Sequence, residues 1–270
     1  MKVAISNIAW NPDEEQEVLR LLSRNGISLL EVAPTKYWGD PSSVAPLKVE
    51  AQKRLLNNSG FEVIAAQALL FGHPELSIFG DEKLRNTTLD YLCRVSETCI
   101  RLGARVLVFG SPKNRLKGSL DDQTAIEIAS DFFGAAAEYV FAMGGVLCLE
   151  PNPVEYGCDF INTTAQAIAL VEQINHPGLR IQLDTSSMTL NGEKPSISIE
   201  RGMAWAGHFH ISEPFLDLVG AGKTSHVIIA EKLRAMSFKG PVSIEMRSGL
   251  AAPNWVAVEK AVKFVKTVYQ

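Results

Sequence analysis

Eight short apolar runs recur along the chain: VAISN (3–7), SLLEV (28–32), FEVIAAQ (61–67), RVLVFG (105–110), VLCLE (146–150), LRIQLD (179–184), HFHIS (208–212) and VSIEM (242–246). Each is nearly continuous rather than strictly alternating, which is the pattern of parallel strands covered on both faces. The stretches between them carry helical signals. Asn11 offers an N-cap, Pro12 a first helical position and Asp13, Glu14 and Glu15 a negative first turn. Apolar positions from Asp81 to Leu102 fall at helical spacing and stop at Gly103, those from Asp121 to Met143 stop at Gly144 and Gly145, and a last helix is predicted over 254–269.

Eight strand–helix units in 270 residues come to about 34 residues each, the size of a βα repeat. Eight such units predict an α/β fold, a closed (β/α)8 TIM barrel. The rival, an open doubly wound sheet, loses ground because no GxGxxG follows an early run. No linker or low-complexity tract divides the chain, so residues 1–270 read as a single domain. The start, MKVAISNIAWNPDEEQEV, reads as a first strand rather than a signal peptide.

Charge and cysteines narrow the partners. A net charge of −4 argues against a nucleic-acid surface, and no apolar run approaches the ~20 residues of a membrane span. Cys93, Cys99, Cys148 and Cys158 form no CxxC pair. They read as free thiols in a reducing compartment, hence a cytoplasmic protein.

In a barrel of this kind, chemistry sits where the strands end. The fifth run closes on Glu150, the sixth on Asp184, the seventh offers His210 and the eighth Glu245. Three carboxylates and an imidazole brought to one rim repel and desolvate one another unless a cation joins them. Oxygen-rich ligation with one imidazole suits Mn2+ first, with Mg2+, Co2+ and Zn2+ as alternatives. His208 shares the parity of His210 one pleat deeper, and reads as a core histidine or one that backs the ligand.

Glu150, Asp184, His210 and Glu245, spaced by 34, 26 and 35 residues in the contexts LEPN, QLDT, HFHISEP and SIEM, resemble the metal quartet of the xylose-isomerase-like barrels. The likeness is nearest the ketose 3-epimerase branch and the proteins described as sugar phosphate isomerases/epimerases, and it runs over essentially the whole chain. It implies that all four residues ligate a divalent metal, and that Glu150 and Glu245 are also the acid/base pair on opposite faces of a bound sugar. Independently of the family, a metal bridging a carbonyl and a neighbouring hydroxyl stabilises an enediolate. One carboxylate can then remove a carbon-bound proton and another return it.

The resemblance has two gaps. The ketose 3-epimerases carry a histidine three residues after the sixth-strand aspartate and an arginine six residues after the seventh-strand histidine. Here those positions are Ser187 and Leu216. Candidate substrate contacts are Lys113 and Arg115 in FGSPKNR, Asn152 and Glu155 in EPNPVEYG, Gln67 at the end of the third run, and His208. Lys113 and Arg115 can clamp a phosphate or carboxylate, although a solvated loop explains them as well. Asn7 and Glu31 close the first two runs and are further hydroxyl partners. Trp10, Tyr37 and Trp38 can stack on a sugar or pack under a loop. His226 opens a helix that Thr224 or Ser225 is expected to cap.

The first functional reading is a metal-dependent isomerase or epimerase of a carbohydrate-like compound, with or without an anionic group. A dehydratase or lyase of a keto-inositol or dehydroshikimate type uses the same constellation, and a non-catalytic sugar-binding barrel is the reading from a different class. The final apolar helix, VAVEKAVKFVKTVY, suits packing on the barrel or pairing in a homodimer.

Overall fold

The eight runs become eight strands within a residue or two of their expected limits: β1 (Val3–Ser6), β2 (Leu29–Val32), β3 (Glu62–Ala66), β4 (Val106–Phe109), β5 (Val146–Leu149), β6 (Leu179–Asp184), β7 (Ala206–Ser212) and β8 (Val242–Glu245). The structure is a computed structural model describing residues 1–270. All neighbouring strands pair in parallel, and β1 closes onto β8 through Val3 opposite Val242, Ala4 opposite Ser243 and Ile5 opposite Ile244. The fold is a single-domain TIM barrel.

Nine α-helices surround the sheet: α1 (Glu15–Arg24), α2 (Pro46–Asn58), α3 (Glu82–Leu102), α4 (Asp122–Ala142), α5 (Thr164–Ile174), α6 (Thr185–Leu190), α7 (Pro195–Gly202), α8 (His226–Ala235) and α9 (Trp255–Tyr269). Local chemistry starts several of them. Asp81 accepts a hydrogen bond from the Leu84 backbone N–H at 2.8 Å, and Asp121 one from Thr124 at 3.0 Å. The apolar faces of the helices and the outward strand residues form one core. In α4 it is built from Ala125, Ala129, Ala136 and Ala137 with Phe132 and Phe133, small residues that let the helix approach the sheet closely. No helix is long and apolar enough to cross a membrane.

The β6–β7 register slips by one residue, from Ile181 opposite Ala206 to Gln182 opposite His208, leaving Gly207 as the extra residue of a bulge. A Cβ at Gly207 would stand 2.5 Å from Cys148 Sγ and 2.9 Å from Arg180 Cβ, so glycine is required. Beyond the bulge His208 and His210 share one face of β7, where both reach Glu31 of β2.

The start of α8 differs from expectation: neither Thr224 nor Ser225 caps it with a side-chain hydrogen bond. Glu213, fully buried, anchors the segment instead. It accepts from the Thr224 backbone N–H at 3.0 Å and from His226 Nε2 at 3.2 Å, and His226 Nδ1 bonds the Tyr269 hydroxyl at 2.8 Å. This network ties the end of β7 to α8 and to the last turn of α9. Burial opposes ionisation of Glu213, but His226 and Thr224 outweigh it and hold the carboxyl below its ordinary range. A depressed carboxylate stabilises the fold above its unfolded value of about 4.5, and that stability is lost as pH falls through the folded value. His226→Ala is therefore expected to cost about 2–3 kcal/mol and to lower Tm by about 4–12 °C at pH 7. The gap between variant and parent should narrow when melting is repeated at pH 4 and below.

Candidate metal centre

Four strands deliver four ligand-capable side chains to one point at the C-terminal mouth of the barrel. Glu150 follows β5 directly, Asp184 ends β6, His210 lies two residues before the end of β7, and Glu245 ends β8. One ligand atom from each lies within 4.8 Å of all the others. Asp184, His210 and Glu245 are buried and Glu150 is partly so.

Three of the four side chains are held from behind, and Glu150 is anchored through its backbone. His210 Nε2 donates to Glu31, 3.0 Å from both carboxylate oxygens, and His208 Nε2 donates to the same carboxylate at 3.2 Å. Gln67 Nε2 donates to Glu245 Oε1 at 2.7 Å. Asp184 Oδ1 caps α6 by accepting from the Ser187 backbone N–H at 2.6 Å, and Oδ2 accepts from the Ser212 hydroxyl. Arg115 Nη2 donates to the backbone carbonyl of Glu150 at 2.6 Å.

Two buried atoms are left over at the centre. His210 Nδ1 is 3.2 Å from Glu150 Oε1 and 3.3 Å from Glu245 Oε2, yet neither contact is aligned as a hydrogen bond; Glu150 Oε1 likewise has no partner. An imidazole whose outer nitrogen donates to a carboxylate while the inner one faces three carboxylates is the usual arrangement of a metal-ligating histidine. The donor set, three carboxylates and one imidazole, fits a divalent cation.

The electrostatics agree. Burial, then Glu150 and Glu245, push Asp184 up to about 7. Burial opposes charge on His210, but Glu31 and Glu245 raise its pKa well above the ordinary histidine range. Glu31 stays ionised despite complete burial, because His210 and His208 hold its pKa far below the usual carboxylate range. A cation between the three carboxylates removes the repulsion that Asp184 otherwise relieves by taking a proton.

Space at the site is equally specific. A Cβ on Gly110, just past β4, would stand 2.5 Å from Glu150 Oε2. The obstructed atom is the tip of a flexible side chain, so Gly110→Ala should fold, displacing the carboxylate instead of the backbone. We expect Tm within a few degrees of the parent and Mn2+ affinity about 10–100-fold weaker by calorimetry. Unchanged affinity would mean that the Glu150 carboxylate does not depend on this gap.

The cavity over the quartet has two chambers. The inner one, about 140 Å3, is lined by Gln67, Gly110, Ser111, His210 and others. The outer one, about 380 Å3, is lined by Tyr156, Asp184, Ser186, Ser187, Phe215 and Leu216 among others. Pro112, Glu150, Asn152 and Glu245 belong to both.

Of the residues singled out in the sequence, Gln67, Asn152, Ser187 and Leu216 line this cavity. Lys113, Arg115, Glu155 and His208 do not. Lys113 and Glu155 are exposed in short turns after β4 and β5. Arg115 is fully buried beside β5, with Nε and Nη1 unpartnered. His208 is buried below His210. Asn7 is spent on the Ala33 backbone N–H, 2.8 Å away. Trp10 is 1% exposed, and Tyr37 faces a separate groove between α1 and α2.

Sequence reasoning passed over Tyr156, Ser186 and Phe215. Tyr156 directly follows Glu155 in the turn Val154–Tyr156, and its hydroxyl bonds Ser186 Oγ at 2.6 Å and accepts from the Phe215 backbone N–H at 3.0 Å. Burial pushes that hydroxyl up to about 12. The available signal was an aromatic residue next to Glu155 in the loop already suspected.

The chain matches the family model described as Xylose isomerase-like TIM barrel over residues 19–268, and it belongs to that family. It is 28% identical over 257 residues to a D-psicose 3-epimerase of Ruminiclostridium cellulolyticum, covering 91% of this chain and 83% of the relative. An L-ribulose 3-epimerase of a Methylomonas species is 23% identical over 238 residues, covering 87% and 79%. Among solved structures, D-psicose 3-epimerase with D-tagatose from Clostridium cellulolyticum H10 superposes with a TM-score of 0.81 at 16% identity, over 100% of both chains.

Proposed function

We propose that this protein is a divalent-metal-dependent epimerase or isomerase of a neutral sugar-derived carbonyl compound. The observation that carries the reading is the convergence of Glu150, Asp184, His210 and Glu245 at the barrel mouth, with His210 Nδ1 and Glu150 Oε1 left without partners. Membership of a family whose matched relatives are sugar epimerases supports it.

In this reading the four residues would hold Mn2+, with Mg2+, Co2+ or Zn2+ as substitutes, and the metal would supply Lewis-acid stabilisation of developing negative charge. Glu150 and Glu245 are the proton-transfer pair, one taking the carbon-bound proton and the other returning it. Gln67 orients Glu245 through its 2.7 Å hydrogen bond, and Asn152 is the nearest amide to Glu150, 3.4 Å from Oε2. Glu31 fixes the His210 ring with Nδ1 facing the metal position. The absence of Lys and Arg from the lining of both chambers supports a neutral substrate over one bearing a phosphate or a carboxylate. We place the protein in the cytoplasm on its free cysteines, and we take a homodimer as its working assembly.

The test is solvent-deuterium incorporation. The Mn2+-loaded protein is incubated in D2O with ketoses, keto-glycosides and ketose phosphates, and C–H exchange is read by proton NMR. Metal-dependent exchange on neutral compounds is the expected result. One bound metal with no exchange on any of them would end the proton-transfer reading. A conjugated enone in place of exchange would favour elimination.

A further inference from the structure

Resting on that reading, we infer that the substrate carries an apolar aromatic substituent next to its reacting carbons, as in an aryl glycoside of a keto-sugar, and that Tyr156, Phe215 and Leu216 select it. The two chambers differ in chemistry. At about 140 Å3 the inner one has room for four or five waters at ~30 Å3 each, and it presents Gln67, Ser111, Glu150, Asn152, His210 and Glu245. That suits a short hydroxylated segment. The outer chamber is larger, about 380 Å3: Glu150, Asn152, Asp184, Ser186, Ser187 and Glu245 line its polar side, and Pro112, the ring of Tyr156, Phe215 and Leu216 form an apolar side.

The polar tip of Tyr156 is already engaged by Ser186 Oγ and the Phe215 N–H, so what it offers the chamber is its ring. The Tyr156 and Phe215 rings lie 5.8 Å apart at 72°, an edge-to-face wall beside Leu216. Hydroxyls set against the Tyr156, Phe215 and Leu216 side of the chamber would lose water without gaining partners there, whereas an aryl group gains burial and edge or stacking contacts.

The loop that builds the wall is held against its own preference. Phe215 (φ 61°) and Leu216 (φ 55°) are consecutive non-glycine residues in the left-handed region. Such a conformation costs of order 1–3 kcal/mol per residue and persists only where surroundings impose it. Here they do: the Leu216 N–H donates to Glu213 O at 3.0 Å and its carbonyl accepts from Arg247 N–H at 2.9 Å, while Tyr156 takes the Phe215 N–H. The outcome is a phenylalanine 56% exposed at the mouth of the cavity, its ring available to a ligand.

The experiment titrates the Mn2+-loaded protein by calorimetry with the phenyl and methyl β-glycosides of 3-keto-D-glucose, D-fructose and D-fructose 6-phosphate. The phenyl glycoside should bind about tenfold or more tightly than the methyl glycoside and the two fructoses. Leu216→Arg should reduce that preference to about threefold or less. Phe215→Asn, a residue that tolerates the left-handed backbone, should do the same without straining the loop. Both variants should still hold one Mn2+ per chain, which certifies the fold and the centre. Equal affinity for phenyl and methyl glycosides, no measurable binding of the phenyl glycoside, or a preference for either fructose overturns the inference. Deuterium exchange on a free ketose with no aryl preference would overturn the substituent alone; absence of bound metal would overturn the underlying reading.

Discussion

Glu150→Gln and Glu245→Gln should each lower deuterium incorporation by about 10²–10⁴-fold at saturating Mn2+, the usual worth of a positioned general acid or base. Glutamine keeps an oxygen donor for the metal and nearly the same volume, but it cannot carry the proton. The two positions differ in how they are held. Glu245 is tied by Gln67, whereas Glu150 has one oxygen free and the other only loosely approached by Asn152. Saturating the metal first separates lost chemistry from weakened ligation, and metal content measured on the same samples completes the control. Retention of exchange within about threefold in both variants would assign proton transfer to other groups and leave the quartet a binding site.

Removing the metal should change how stability depends on pH. Without a cation the folded protein binds a proton at Asp184, whose pKa is raised from 3.8 to about 7, and holds His210 protonated above its ordinary 6.5. Both groups bind protons more tightly folded than unfolded, so the stability they contribute is present at low pH and lost as pH rises. For Asp184 the window runs from about pH 4 to about pH 7, and a shift of three units corresponds to an order of 4 kcal/mol. The chelated protein should therefore melt at progressively lower temperature from pH 5 to pH 8. Mn2+ at about 100 times its dissociation constant should restore about 2.7 kcal/mol, or about 5–10 °C. Metal binding should also release protons, measurable as buffer-dependent enthalpy. Asp184→Ala, which lacks both a ligand and the raised carboxyl, should bind little metal and melt with a flatter pH profile. A chelated parent as indifferent to pH as this variant would mean that the three carboxylates do not share one site.

Much of the architecture was legible in the chain. The strand limits were read to within a residue or two because a strand buried on both faces writes itself as a short continuous apolar run. The four candidate ligands were legible for a related reason: Glu150, Asp184 and Glu245 end or follow a strand and His210 lies one pleat inside its own, so naming the strand end names the side chains at the rim. Gln67, directly after β3, was found by the same rule, and Asn152 as a neighbour of Glu150 in the loop after β5. The strand-end rule failed for Lys113, Arg115 and Glu155, which lie four or more residues beyond a strand, where the direction of a side chain no longer follows from a period. There the turn Pro112–Arg115 buries Arg115 behind Glu150 and leaves Lys113 outside, while the next turn presents Tyr156 where Glu155 had been considered.

The sequence by itself determined the barrel, its single domain and the identity of the residues at the strand ends, because local periodicity and chain order suffice for parallel strands joined by helices. Only the tertiary structure decided what those residues meet. Glu31 faces two histidines 177 and 179 positions away, and Gln67 holds a carboxylate 178 positions away. Contacts at such separations come from barrel closure and from one-residue bulges such as that at Gly207, which no local pattern encodes. The character of the cavity wall belongs to the same class. Whether Leu216, Phe215 and Tyr156 point inward depends on a left-handed turn pinned by Glu213, Tyr156 and Arg247, residues from three separate parts of the chain.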